Sequence, residues 1–141
     1  MAGKIIADTL EHSTAGSIAT NYVVNGSAKA WAIIDTNTAT TATTGSMNVS
    51  SVADNGLGDF TLAWATSMNA TPYAFTQGVH NNSGDAYARV IGVRSTDYTQ
   101  TTPAGMTTSN CRFVSPYVTN GAASGNGYQG YSCINIQGDL A

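Results

Sequence analysis

Phe60-Thr61-Leu62-Ala63-Trp64-Ala65-Thr66 decides how this chain folds. Along an extended backbone Phe60, Leu62 and Trp64 fall on one side, and Thr61, Ala63 and Ala65 on the other. A period of two with all the bulk on one face is the pattern of a half-buried β-strand. Residues 47–53 lie just upstream, and Asp54-Asn55-Gly56-Leu57-Gly58 stands between the two runs, so they are expected to pair as a hairpin. Further upstream, Val23-Val24-Asn25-Gly26-Ser27-Ala28-Lys29-Ala30-Trp31 sets an Asn-Gly pair between β-prone runs. A type I′ turn needs positive φ at both central positions, which Asn and Gly tolerate, so residues 22–24 and 28–35 are expected to form another hairpin. In the second of these runs Ala28, Ala30, Ala32 and Ile34 alternate with Lys29, Trp31, Ile33 and Asp35. The larger Trp31 and Ile33 are expected to face the core.

The same reading continues downstream. Residues 73–79, 86–94 and 128–137 are strand-like, and Tyr87, Arg89, Ile91 and Val93 share one side of the second run. Cys111-Arg112-Phe113-Val114 opens a strand that Pro116 is expected to bend or end. Residues 36–46 approach low complexity in threonine and alanine and read as a loop or a threonine-rich edge strand. Residues 80–85 read as a turn, 98–110 as a long loop or edge strand, and 120–127 as a glycine-rich loop. About eight to ten strands and no helix predict an all-β fold, an antiparallel β-sandwich of jelly-roll type. The sandwich is assigned to residues 22–141. Residues 1–21, with no clean period, are read as a short extended N-terminal arm with one short strand, either of the kind by which a subunit grips a neighbour or an ordinary edge strand.

Composition agrees with strands and narrows the function. The 141 residues suit one domain. Only 9% are charged, against about 25% in an ordinary soluble domain. Threonine (20), glycine (15), serine (13) and asparagine (12) fill the gap. Ser, Thr and Asn compete for backbone hydrogen bonds inside helices, whereas Thr, Val, Ile and Tyr suit pleated strands. A surface short of charge repels its neighbours weakly, which suits a protein that packs against copies of itself. The net charge is −3. Lys4, Lys29, Arg89, Arg94 and Arg112 are scattered and make no basic stripe, which argues against nucleic acid as a partner. No apolar run approaches the roughly 18 residues of a membrane helix, so no membrane insertion is expected. Residues 1–8 lack the apolar core of a signal peptide, so cytosolic synthesis without export by that route is expected. In that setting Cys111 and Cys133 are expected to be free thiols rather than a bridge.

Chemistry-bearing patterns are few. Gly125-Asn126-Gly127-Tyr128-Gln129-Gly130 matches the dinucleotide fingerprint, but no helix is expected after it and only 11 residues remain. It is read as a loop, and no cofactor is expected. His12 and His80 are far apart and in no ligand spacing, so no metal site is expected within the chain. No nucleophile elbow is present and no catalytic residue is assigned. Asp54 and Asp59 flank one turn and read as hairpin caps. Four sequons, at Asn25, Asn48, Asn69 and Asn81, arise by chance in a chain this rich in Asn, Ser and Thr. Tyr73, Tyr87, Tyr98, Tyr117, Tyr128 and Tyr131 gather in the second half. Amphipathic aromatics of this kind fill strand faces or meet partners and sugars. Tyr98, Tyr117 and Tyr128 border loops and are the candidate receptor contacts.

Three blocks resemble a short domain that recurs in bacteriophage tail-fibre and other virion structural proteins. The first is Tyr22-Val23-Val24-Asn25-Gly26-Ser27-Ala28-Lys29-Ala30-Trp31, preceded by Lys4-Ile5-Ile6-Ala7-Asp8-Thr9. The second is Met47-Asn48-Val49-Ser50-Ser51-Val52-Ala53-Asp54-Asn55-Gly56-Leu57-Gly58-Asp59-Phe60-Thr61-Leu62. The third is Cys111-Arg112-Phe113-Val114. The resemblance spans most of residues 4–137. It departs at Ala32-Ile33-Ile34-Asp35-Thr36-Asn37-Thr38, where the family has Val-Asn-Phe-Asn-Gly-Thr-Gly, and in the last strand, which lacks a Val-Ala-Ile-Phe ending. Residues 72–110 match weakly, and a receptor-binding surface is expected in such divergent parts. The resemblance implies a non-enzymatic virion structural protein assembled in the host cytoplasm, a homotrimeric tail fibre or fibre tip. Its partners would be itself, other virion proteins and host surface glycans. The alternative is a capsid decoration protein that cements the phage head. A glycan-degrading tail spike would need converging carboxylates and a β-helix repeat, which the chain lacks.

Overall fold

The computed structural model describes residues 6–36, 41–80, 88–89, 91–94, 105–119, 122–126 and 130–141. Among them the chain is all-β apart from one short helix, and every strand pairing is antiparallel. In chain order the elements are β1 (Thr9–His12), β2 (Gly16–Ala19), α1 (Thr20–Gly26), β3 (Ala28–Asp35), β4 (Ala42–Met47), β5 (Val49–Gly56), β6 (Asp59–Trp64) and β7 (Ala74–His80). Then follow β8 (Ala88–Arg89), β9 (Gly92–Val93), β10 (Asn110–Val114), β11 (Pro116–Thr119), β12 (Ala122–Asn126) and β13 (Tyr131–Gln137). They form two four-stranded sheets, β4-β3-β13-β7 and β5-β6-β10-β9, a three-stranded sheet β12-β11-β8, and the hairpin β1-β2.

The hairpin expected around residues 54–58 is present. Val52 lies opposite Leu62 and Ala53 opposite Thr61, and Asp54 closes the turn by accepting from the Gly56 N–H at 2.8 Å. Phe60, Leu62 and Trp64 are buried, as the alternation predicts. They join Cys111 and Phe113 from β10 and Ala30, Ala32, Ile34, Ile134 and Ile136 from the other large sheet in one hydrophobic cluster. Phe113 stacks on Phe60 with ring centroids 5.8 Å apart, and meets Phe75 of β7 edge-on at 5.9 Å. The chain crosses from the first sheet to the second at Asn48, whose φ of 55° turns the backbone sharply. Asn is one of the few residues that tolerates this conformation. Its side chain donates to the carbonyls of Lys29 and Thr66 and accepts from the Thr66 N–H, which fastens the corner to both sheets.

The Asn25-Gly26 hairpin does not form. Residues 20–26 are helical, and neither Asn25 nor Gly26 has positive φ. Orphan carbonyls at a helix C-terminus need donors, and a cation there is favoured by the helix dipole. Lys29 Nζ and Ser27 Oγ both donate to the Val24 carbonyl, and Gln137 Nε2 donates to that of Gly26. The partners of β3 are instead β13 and β4. The arm differs too: Thr9–His12 and Gly16–Ala19 pair as a hairpin where one strand was expected.

The orientation of β3 is the reverse of that expected. Ala30, Ala32 and Ile34 face the core, and Trp31 and Ile33 face outward. The opposing sheet already fills the interior with Phe60, Trp64 and Phe113, so the facing strand has room for alanines. Further along, the threonine-rich run supplies β4 as an edge strand. β10 stops at Val114, and Pro116 begins β11 in a different sheet. The glycine-rich stretch, expected as a loop, contributes β12.

Candidate functional site

The outward face of β4-β3-β13-β7 follows from register. Met47, Trp31, Asn135 and Thr76 form one cross-strand row; Gly45, Ile33, Cys133 and Gly78 the next; Ala42, Asp35, Tyr131 and His80 a third. Large side chains on this face remain accessible: Trp31 is 38% exposed, Ile33 37%, Met47 40% and Tyr131 42%. The Trp31 ring lies over Gly45, where a β-carbon would sit 3.4 Å from the indole. Gly78 on the other side leaves the Cys133 β-carbon uncovered. The result is a shallow, mostly apolar groove of about 420 Å³ bordered by Trp31, Ile33, Thr76, Gly78, Cys133 and Asn135. At one end the His80 and Tyr131 rings approach within 6.3 Å. Exposed bulk of this kind, gathered on one face, marks an interaction surface.

A second apolar surface lies on residues 6–26. Ile6 is 81% and Tyr22 68% exposed, and Leu10, Ile18, Val23 and Val24 are exposed as well. The helix buries no residue and has no side-chain N-cap. Thr20 ties its start to the hairpin, donating from N to the Asp8 carbonyl at 2.8 Å and from Oγ1 to that of Ala7 at 2.7 Å.

The other large sheet carries a polar cluster. Arg112 grips Asp59 with two bonds, Nε to Oδ1 at 2.7 Å and Nη2 to Oδ2 at 2.8 Å. Arg94 adds Nη1 to Oδ2 at 2.6 Å. Asn55 bridges the cluster to Thr61, donating to its hydroxyl at 2.8 Å. Burial would raise the Asp59 carboxyl, but the hydrogen bonds and positive charges of Arg112 and Arg94 outweigh it and hold the group below its ordinary value. A carboxylate fixed in its ionised form by two guanidinia ties β6 to β10 and to the end of β9; it cannot serve as a proton donor near neutral pH. Strand pairing brings Asp59, Arg94 and Arg112 together across 35 and 53 residues of sequence. The sequence reading took the arginines as scattered and Asp59 as a turn cap.

Of the three candidate receptor contacts, Tyr98 and Tyr128 lie outside the described residues. Tyr117 lies in β11, opposite Arg89 of β8. Tyr87 also falls outside them. Tyr73 is buried: its hydroxyl accepts from Trp64 Nε1 at 3.2 Å and lies 3.2 and 3.1 Å from the carbonyls of Thr107 and Asn110. Desolvation, with the Cys111 thiol nearby, raises its ionisation well above the ordinary tyrosine range. Cys111 sits in the core and Cys133 on the outer face, both as free thiols. Among the described residues no group of three His, Cys, Asp or Glu could hold a metal ion.

No family model, curated protein or solved structure matches this chain. Its two apolar surfaces are the features that bear on function. Sequence reasoning missed both, because it placed Trp31 and Ile33 inside and Tyr22 to Val24 in a sheet. The signal that could have found the first was the run of alanines at 28, 30 and 32, a face too small to be a core without large partners opposite.

Proposed function

We propose that this chain is a bacteriophage virion structural protein, a tail-fibre or fibre-tip subunit that works by assembly and binding. It forms a homotrimer of jelly-roll-like β-sandwiches and meets host surface glycans through its variable loops. The observation that carries the reading is the outward placement of Trp31, Ile33, Met47 and Tyr131 over a core strand built from alanine. A chain that ends its life as a free monomer has no use for that arrangement, whereas a subunit covers it. The two large sheets that share one hydrophobic cluster support the sandwich, and the low charge supports close packing of copies. The second sequence block of the family resemblance coincides with the β5-β6 hairpin. Asp59, whose ionisation Arg112 and Arg94 hold below its ordinary value, is unsuited to be the general acid of a glycosidase.

Light scattering of the purified chain tests the assembly. The expected mass is about 44 kDa, three times the 14.5 kDa of one chain; a monodisperse 14.5 kDa species at micromolar concentration refutes it. Receptor contact is proposed for Tyr98, Tyr117 and Tyr128, and is tested by binding to host cells or extracted lipopolysaccharide with Tyr98→Ala and Tyr128→Ala combined. The arm gives a capsid decoration role its support, since exposed apolar arms can clamp neighbouring shell subunits. Antibody labelling of intact particles separates the two, by signal on the tail or on the head.

A further inference from the structure

We infer that Asn25-Gly26 is a self-modifying pair in the folded chain, converting to aspartate and isoaspartate through a succinimide, while the same dipeptide at Asn55-Gly56 is protected. The chemistry needs only water. The Gly26 backbone nitrogen gives its proton to solvent and attacks the side-chain carbonyl carbon of Asn25. A C–N bond forms, the bond to Nδ2 breaks, and ammonia leaves with a proton taken from solvent. Water then opens the ring at either carbonyl: one opening leaves aspartate, the other isoaspartate. Glycine is the most permissive residue to follow the asparagine, because no side chain crowds its nitrogen and its backbone turns freely. What separates two such pairs is how firmly each amide nitrogen and each side chain is held.

At Asn55-Gly56 both reacting groups are held. The Gly56 N–H donates to Asp54 Oδ1 at 2.8 Å. Hydrogen bonds from the backbone N–H groups of Thr41 and Gly56 keep the Asp54 carboxyl below its ordinary value, so it is an anion at neutral pH. An anion bound to an N–H opposes loss of that proton. The Asn55 side chain donates from Nδ2 to Thr61 Oγ1 at 2.8 Å and to Asp59 Oδ1 at 3.4 Å, which anchors the leaving nitrogen. Strand pairing of Asp54 with Phe60 and of Gly56 with Asp59 fixes the backbone on either side. At Asn25-Gly26 no clamp of this kind acts among the described residues. Both residues are exposed, and space is open where a Gly26 β-carbon would sit. Helical dihedrals keep the Gly26 nitrogen off the side chain, so attack goes through the opened turn. That opening is easy: α1 has seven residues, buries none and lacks a side-chain N-cap. Tyr22, Val23 and Val24 are middling helix formers and Gly26 a poor one. The nearby charge also has the opposite sign from Asp54. Lys29 Nζ sits on the Val24 carbonyl, and a cation favours the deprotonated amide. Isoaspartate adds a main-chain carbon, which would put the last turn out of register with Lys29 and Gln137.

Incubating the full-length protein in mildly alkaline buffer, native and in urea, and following each asparagine by peptide mass spectrometry tests this. Native Asn25 is expected to convert within about threefold of its rate in urea, because its turn opens at almost no cost. Native Asn55 is expected to be at least about tenfold slower than in urea, the ratio being set by opening of the β5-β6 hairpin. Gly26→Ala, which crowds the attacking nitrogen, should slow conversion at Asn25 several-fold and leave Asn55 unchanged. Asp54→Ala releases the Gly56 N–H and should speed conversion at Asn55. If that variant does not fold, Thr61→Val replaces it by removing the acceptor of the Asn55 amide. A native Asn25 about tenfold slower than in urea overturns the inference, as do equal native rates at the two pairs. An Asn55 rate that the folded variant leaves unmoved overturns the clamp.

Discussion

Replacing Ile33 and Ile34 by threonine, one at a time, tests which face of β3 lies in the core. Threonine keeps the β-branch, so strand propensity is nearly constant and burial decides the outcome. Ile34 is fully buried. The change removes roughly two methylene equivalents at about 0.8 kcal/mol each, and it leaves a hydroxyl without a partner at about 1–3 kcal/mol. Together these give about 3–4 kcal/mol of lost stability. Ile33 is 37% exposed, so its hydroxyl stays hydrated and only the covered part of the lost carbon counts, about 1 kcal/mol. Equilibrium urea unfolding, at dilutions where the monomer prevails, measures both. In thermal melts the same losses correspond to roughly 6–15 °C for Ile34→Thr and about 2–4 °C for Ile33→Thr. Equal losses, or a greater loss at Ile33, would falsify the assignment of faces, and with it the groove. At higher concentration the ranking for assembly should invert: Ile33→Thr should weaken the oligomer while any folded Ile34→Thr retains the contact surface.

Asp59→Asn leaves two guanidinia without their carboxylate and is expected to cost about 2–3 kcal/mol at neutral pH, less than a fully buried pair because both arginines are half-exposed. Because the folded Asp59 ionisation lies below the ordinary 3.8, its stabilisation is complete above that value and is lost as pH falls through the lowered one. Acid titration of stability should therefore show a shallower decline below about pH 4 in Asp59→Asn than in wild type. Gly105→Ala would place a β-carbon 2.6 Å from the Arg94 carbonyl and 3.0 Å from that of Arg112. Both are backbone atoms, so a loss of at least about 2 kcal/mol is expected by urea unfolding. In a Cys133→Ala variant, burial pushes the remaining Cys111 thiol up to about 12, so Ellman's reagent should find no reactive thiol at pH 8 until the protein unfolds; rapid native labelling would contradict the core placement.

What could be read from the sequence depended on how local the deciding contact was. The 47–64 hairpin was legible because alternation and turn chemistry lie within one short stretch, and the Asp54 side chain closes its own loop. Asn25-Gly26 misled because the same dipeptide serves a tight turn or the last residues of a helix. The choice fell to Lys29, four residues on, and Gln137, more than a hundred residues away. Alternation along β3 correctly divided its residues into two faces but carried no sign. The sign is set by the bulk of Phe60 and Phe113 across the interior, which no window around residue 31 contains. The Asp59 cluster was illegible for the same reason, since strand order places Arg112 beside it. Alternation could place Tyr73 only among six tyrosines that fill strand faces or meet partners; its burial is decided by Trp64, whose Nε1 donates to its hydroxyl inside the core.

The sheet edges carry the argument for assembly one step further. Edge strands expose unpaired backbone groups, and monomeric proteins protect them with lysine, proline or inward charge. Among the described residues the edges of the grooved sheet are β4 and β7. Their sequences, Ala42-Thr43-Thr44-Gly45-Ser46-Met47 and Ala74-Phe75-Thr76-Gln77-Gly78-Val79-His80, contain no Lys, Arg, Asp, Glu or Pro. The face between them carries Trp31, Ile33, Cys133 and Tyr131. A chain with twenty threonines has an abundant polar strand-former for such positions, yet places its bulk there. An unguarded edge beside an apolar face invites pairing with any exposed strand. Edge, face and arm are each a liability in a monomer, and the assembly proposed above would give each of them a reason.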